Sequence, residues 1–322
     1  MFLYFLLLSV VYSGEFEEVN IGGISSTRIL SIAQDSTGFI WIGTDDGLNR
    51  YDGFQNKVYR SDIFDETTVS GNRIWKIHVD KSNTTWVLTD RGACYYDATR
   101  DQFERIDTGS RPQHIQDKNN TLYVSTLNSG IYAINKETKS FKNYLFDPLD
   151  PFSISSSKFS HQQTKPTAVD GDNIWIGTMN GLNRINQNTG QAKRLYSNKT
   201  SFVKSDTITA ILFVDDVLYI GTSRGLSLYA GNNGEPAQLG AFESRHILNL
   251  FLIKETSAVG VVSKNKLGIF EKHAVLETIK TNAHLSLVSN LGSGQYLLNS
   301  PENKNAIFLS VNTDTDDIYQ TN

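Results

Sequence analysis

An all-β fold, a single seven-bladed β-propeller with four-stranded antiparallel blades, is what this 322-residue sequence predicts. Three observations predict it. Residues 31–53 read as two tight hairpins in a row: Asp35 to Gly38 turns, Phe39 to Thr44 is rich in β-branched and aromatic residues, and Asp45-Asp46-Gly47 turns into Leu48 to Asp52. Both faces of the middle strand are apolar, Phe39 and Trp41 on one and Ile40 and Ile42 on the other, so it needs cover on two sides. The unit then recurs, with its aromatic marker near residues 41, 86, 123, 175, 219, 260 and 296, a period near forty carried only by short strands.

In chain order, the first repeat carries Trp41, Gly43 and Gly47. The second runs through Ile74-Trp75-Lys76-Ile77-His78-Val79-Asp80 to Trp86 and Gly92, and the third through His114 to Asp117, Tyr123 and Gly130. The fourth is the cleanest copy, with Trp175, Gly177 and Gly181 in Asn173 to Arg184; the fifth has Tyr219, Gly221 and Gly225. The last two are degenerate. Trp41, Trp86, Tyr123, Trp175 and Tyr219 share one phase in a strand covered on both sides, which fits blade-to-blade packing better than a sugar-stacking surface. Fourth strands follow at residues 55–60, 103–106, 141–144 and 192–196, and none is evident in the last repeat. Glu15 to Ile21 can supply it and close the ring.

The expected plan is therefore a signal peptide at 1–13, a closing strand at 14–22, a propeller at 23–310, and a polar C-terminal tail at 311–322. The repeats lie near 28–60, 73–106, 111–144, 166–196, 207–238, 246–275 and 284–309. The apolar run Phe2 to Val11 and the small residues before Gly14 suggest export, although no positive side chain precedes the run; a truncated start or a single anchor is the competing reading.

Net charge −4 gives no support to nucleic-acid binding. The lone Cys94 excludes an intrachain disulfide and a structural zinc cluster, and reads as a small buried apolar residue. No phosphate loop, nucleophile elbow or His-Glu-x-x-His is present, and the six histidines do not pair at ligand spacing, so neither metal nor cofactor is expected. Asp35, Asp80 and Asp117 recur at one phase as turn-forming aspartates.

Two constellations are candidates for ligand binding. The residues that lead into the inner strands are Arg28, Arg73, Arg111, Pro166 with Lys165 beside it, Thr207, His246 with Arg245 beside it, and His284. Around a central channel they would form a basic collar able to hold a carboxylate; the alternative is that each Arg pairs with a local Asp or carbonyl. The second is the long connection Asp147 to Lys165, with Phe152, Phe159 and His161, which reads either as a binding loop on the collar's face or as a solvated variable loop. Removal of residues 152–161 is expected to spare folding.

At Gln34 to Gly53 the sequence resembles the two-component regulator propeller repeat, strongly in repeats one and four and weakly in the last two. The resemblance implies a bacterial periplasmic sensor that detects carbohydrate-derived signals, with a kinase or cyclase output elsewhere in the receptor. The expected function is thus a ligand-sensing module without catalysis, with a small-molecule or oligosaccharide ligand and a membrane receptor portion or dimer partner. A glycan-active hydrolase or lyase and a protein-interaction scaffold are the alternatives; no nucleophile and acid/base pair can be assigned for the former.

Overall fold

The computed structural model describes residues 21–159, 166–200, 203–230, 236–237, 242, 244–253, 258–263, 266–271, 274–280, 287–292, 295–299, 307–311 and 318–321. These form seven four-stranded antiparallel sheets, each made of four consecutive strands. The first strands of the sheets are Ile29–Gln34, Ile74–Val79, Pro112–Lys118, Thr167–Asp170, Ile208–Val214, Ile247–Ile253 and Leu287–Gly292. First strands of successive sheets touch one another, which makes them the inner strands of a propeller. A hydrogen bond from Thr167 Oγ1 to Gln116 Oε1 links the third to the fourth.

Burial explains why a single sheet could not stand alone. Trp41, Leu48, Ile74, Val87 and Phe103 form one cluster between sheets one and two; Trp86, Ile106, Ile115 and Leu122 form the next, between two and three. The same arrangement repeats at the following three boundaries, with Tyr123 and Ile174, Trp175 and Ile208, and Tyr219 and Ile247. The core is thus interleaved between sheets, and the marker aromatics are packing elements. In the sixth sheet the marker position is Gly260, and the ring of Phe251, its cross-strand partner, covers it.

Turn chemistry fixes the repeat. Gly47, Gly181 and Gly225 have φ of 131°, 124° and 142°, a region side chains avoid. Gly92 does not appear among the positive-φ glycines; what confines it is the carbonyl of Ile106. Just before these turns a buried threonine hydroxyl donates to the carbonyl across the turn: Thr44 to Gly47 at 2.9 Å, Thr178 to Gly181 at 2.9 Å and Thr222 to Gly225 at 2.8 Å. Gly43, Gly177 and Gly221 lie so close to the Ile74, Ile208 and Ile247 that open the next inner strands that a Cβ would come within 3.0 Å of each Ile side chain.

Asp35 Oδ1 accepts Thr37 N at 3.0 Å and Phe39 N at 3.1 Å, as expected of a turn aspartate, and its Oδ2 also accepts Trp41 Nε1 at 2.8 Å. Asp80 does the same with Trp86 Nε1 at 2.9 Å. Asp117 departs from the pattern. Its turn is replaced by Asn119 and Asn120, and its carboxylate pairs with Lys136 Nζ at 2.8 Å and His78 Nε2 at 3.2 Å. Asp101, at φ 55°, ties sheet two to sheet one by accepting from Tyr59 and Tyr96 hydroxyls, each at 2.6 Å, and from Lys57. Arg50 reaches it at 3.5 Å while lying over Phe39, Trp41, Tyr59 and Tyr96. Burial pushes the Asp101 carboxyl upward, but the donors from Lys57, Tyr59 and Tyr96 outweigh it and set it at about 2.

The C-terminal end corrects the expected plan. Ile318–Thr321 pairs with Ile307–Val311, so the seventh sheet takes its fourth strand from the segment read as a polar tail. Ile318 and Tyr319, two residues at home in strands, interrupt that polar run. The signal peptide at 1–13 and most of the closing strand at 14–22 lie outside the described residues; Ile21 and Gly22, which are described, are not in a strand.

Candidate functional site

Of the positions predicted for the collar, Arg28, Arg73, Arg111, Pro166, Thr207 and His246 each directly precede the first residue of an inner strand. Two of them come together. The Arg73 guanidinium lies 4.1 Å from the ring centre of Trp75, and the Arg111 guanidinium, from the neighbouring sheet, lies 5.0 Å from the same ring. Trp75 is the second residue of the inner strand Ile74–Val79, at half-buried depth. Arg73 immediately precedes the strand, whose register shifts between Ile74 and Lys76 and leaves Trp75 at an irregularity, while Arg111 leads into the adjacent inner strand.

Electrostatically the group is unbalanced. Neither Arg73 nor Arg111 has a carboxylate within 4.0 Å among the described residues. Asp90 accepts the backbone N–H of Arg73 at 3.3 Å instead. The Nε of Arg73 and the indole Nε1 of Trp75 are both buried without a hydrogen-bond partner. Two guanidiniums against one indole ring gain cation–π attraction, an arrangement that favours an anion bound alongside an apolar or CH-rich surface.

The remaining predicted residues distribute differently. Arg28 is 65% exposed and sits 4.0 Å from Asp45, a solvent-facing pair of the kind named as the alternative. Arg245 and His246 are exposed at the start of the sixth inner strand. Lys165, His161 and His284 lie outside the described residues, and the seventh inner strand opens at Leu287, three residues beyond His284.

The long connection corrects the loop reading. Phe159 is 2% exposed and Ile154 fully buried in the cluster between sheets three and four. Ser155 N donates to Asn183 Oδ1 at 2.7 Å. Arg194 of the following sheet grips the loop backbone, donating to the carbonyls of Ser153 at 2.8 Å and Asp150 at 2.7 Å. Arg105 holds residues 62–69 in the same way, through the carbonyls of Asp62 at 2.8 Å and Thr68 at 2.9 Å. Both connections share the pattern Asp-x-x-Asp-x-x-Ser/Thr, at Asp62, Asp65, Thr68 and Asp147, Asp150, Ser153. The loop is a repeated structural device, and deletion of 152–161 would remove core. Phe152, 52% exposed, is the predicted loop residue that remains at the surface, where it borders a cleft on the fourth sheet.

Trp75 is the functional candidate that sequence reasoning did not single out. Its signal was an aromatic two residues after Arg73, at a position occupied in the other repeats by Leu30, Gln113, Ala168, Thr209, Leu248 and Ser286. Among the described residues no group of three or more His, Cys, Asp or Glu side chains could hold a metal ion, and no helix is long and apolar enough to cross a membrane.

Comparison with known proteins places the repeat. A family model described as two component regulator propeller matches residues 23–46, so the chain carries that repeat. A histidine kinase of Formosa agariphila is 44% identical over 50 residues, which is 16% of this chain and 4% of the kinase. The fold is similar to that of two extracellular domains of B. thetaiotaomicron proteins described as hybrid two-component systems. One is 19% identical with a TM-score of 0.60, covering 86% of this chain and 39% of that one. The other is 22% identical with a TM-score of 0.59, covering 87% and 40%. The chain therefore spans well under half the length of these relatives.

Proposed function

We propose that this chain is the extracytoplasmic, periplasmic ligand-sensing propeller of a bacterial signal-transduction receptor, that its ligand is anionic and carbohydrate-derived, and that it performs no catalysis of its own. The observation that carries the ligand class is the approach of both Arg73 and Arg111 to the Trp75 ring, with no carboxylate within 4.0 Å of either among the described residues. A sugar acid meets all three parts: the carboxylate takes charge-assisted hydrogen bonds from the guanidiniums, and the CH-rich ring face packs on the indole. The repeat shared with two component regulator proteins supports the signalling role. In the receptor, ligand binding would bias the orientation of sheets two and three, which supply the two arginines, and the output module would read that bias.

The purified chain, titrated with neutral and acidic mono- and disaccharides, tests this reading. Acidic members should raise the melting temperature without conversion to product, and the rise should vanish in the Arg73→Glu/Arg111→Glu double variant. Product formation overturns the non-catalytic assignment. A rise that persists undiminished in the double variant overturns the site.

A further inference from the structure

We infer a second binding site, for an acidic oligosaccharide, in the cleft on the outer half of the fourth sheet. The cleft has a volume of about 760 Å³, within the range of small-molecule sites, and its floor is the outer strand Ala192–Leu195 and the strand before it. Arg184, Lys193, Arg194 and Lys199 line it, and no acidic side chain does among the described residues. In a chain of net charge −4 this is a strong local concentration of positive charge.

Comparison with the first two sheets shows what this charge departs from: in the first sheet the same positions hold Arg50 opposite Lys57, and Asp101 of the next sheet pairs with both, while the second sheet carries no such cation pair. Strand register makes the second and fourth sheets superimposable: Trp86 opposes Tyr95 and Tyr95 opposes Glu104 in one, while Trp175 opposes Arg184 and Arg184 opposes Lys193 in the other. The neutral and acidic pair Tyr95 and Glu104 is therefore replaced by two cations directly across from each other. Like charges in that position destabilise a sheet. Neither Arg184 nor Lys193 is relieved by an ion pair within 4.0 Å among the described residues. Arg194 matches Arg105 and keeps its structural work on the loop carbonyls, with no carboxylate within 4.0 Å among the described residues. Phe103, buried in the second sheet, is matched by Ala192, which borders the cleft and is buried in the cluster between sheets three and four.

The rest of the lining selects the ligand's chemistry. Phe152 and Tyr196 offer ring faces, and the carboxamides of Asn173 and Gln191 offer paired donors and acceptors suited to hydroxyl groups. Cations, carboxamides and rings together fit a chain of hydroxylated rings bearing carboxylates or sulfates, and fit an acidic peptide less well, since a peptide would leave the hydroxyl-matching groups unused. This inference rests on the cleft alone and stands whether or not the Arg73, Trp75 and Arg111 group binds a sugar acid.

Isothermal titration with tetragalacturonate, with a sulfated chondroitin tetrasaccharide, with neutral maltotetraose and with a poly-glutamate peptide tests it. One or both acidic sugars should bind saturably, the carboxylated and sulfated probes telling which anion the cleft prefers, and maltotetraose should bind at least tenfold more weakly. The titrations are made on a chain carrying Arg73→Glu/Arg111→Glu, so that the group over Trp75 does not contribute, and in that background Arg184→Glu/Lys193→Glu should lower affinity tenfold or more. Without ligand, Lys193→Glu should melt higher than the parent chain because it restores an opposite-charge pair. No saturable binding by either acidic sugar, binding unaffected by the Arg184/Lys193 reversal, or poly-glutamate binding as tightly as the sugars would each overturn the inference.

Discussion

Replacing a single buried indole by a phenyl ring should have opposite consequences in two sheets that look alike. Trp86 and Trp175 occupy the same place in the second strands of sheets two and four, at 1% and 2% exposure. Trp86 Nε1 donates to the Asp80 carboxylate at 2.9 Å. Trp175 Nε1 is buried with no partner, because Asp170 stands five residues ahead of it where Asp80 stands six ahead of Trp86, and the shortened turn cannot bring the carboxylate round. Trp→Phe loses similar apolar contact at both sites, so that part cancels in the comparison. At Trp86 a hydrogen bond to a charged group worth about 1.5–3 kcal/mol is lost as well, whereas at Trp175 the removed group is an unsatisfied donor whose burial costs about 1–3 kcal/mol. Trp86→Phe should therefore destabilise the chain by at least about 2 kcal/mol more than Trp175→Phe. Urea denaturation followed by far-ultraviolet circular dichroism measures this through the midpoint at unchanged slope. Equal losses in the two variants would refute the argument that the aspartate, and not the ring alone, makes this position stabilising.

Two further outcomes follow from the packing and the charge network. Gly43→Ala drives a methyl group into Ile74 and should cost about 1–3 kcal/mol by denaturant titration, whereas the same change at Gly38, which has open space around it but φ of 97°, should cost only the smaller backbone strain. The Asp101 carboxyl, at about 2 in the folded chain and near the ordinary ~3.9 when unfolded, contributes stability that is present above pH 4 and is lost as pH falls towards 2. Asp101→Asn should flatten that acid limb in a pH series of melting temperatures; an unchanged acid limb would show that other carboxylates set it.

The fold was legible because its signals are local and repeated. Turn glycines and alternating apolar residues need no distant information, and each copy restates them. The polar tail misled because Ile318 and Tyr319 are only two residues among many polar ones, and their strand exists only by pairing with Ile307–Val311. Phe159 misled for a related reason: in a long connection, sequence cannot tell an apolar residue that returns to the core from one that waits at the surface. Arg73 and Arg111 were legible from their shared phase, whereas their meeting over Trp75 depends on the spacing between two sheets. The cleft was invisible for the same cause, since the opposition of Arg184 and Lys193 emerges only from strand register.

The close fit of Gly43 to Ile74 also bears on how such chains can be reassembled. The residue two past the marker aromatic and the residue opening the next inner strand form complementary sizes along the chain: Gly43 with Ile74, Gly177 with Ile208 and Gly221 with Ile247, but Leu88 with Pro112 and Ser125 with Thr167. Each repeat thus carries half of a joint whose other half belongs to its successor. Repeats one, four and five end in the same half-joint, and repeats one and five also open with isoleucine, so exchange between those two leaves a seam that still fits, whereas repeat four opens with Thr167 and is keyed to Ser125. Repeats two and three are keyed to their own neighbours, and a gene that moved either one alone would place a leucine against an isoleucine or leave a void beside a proline.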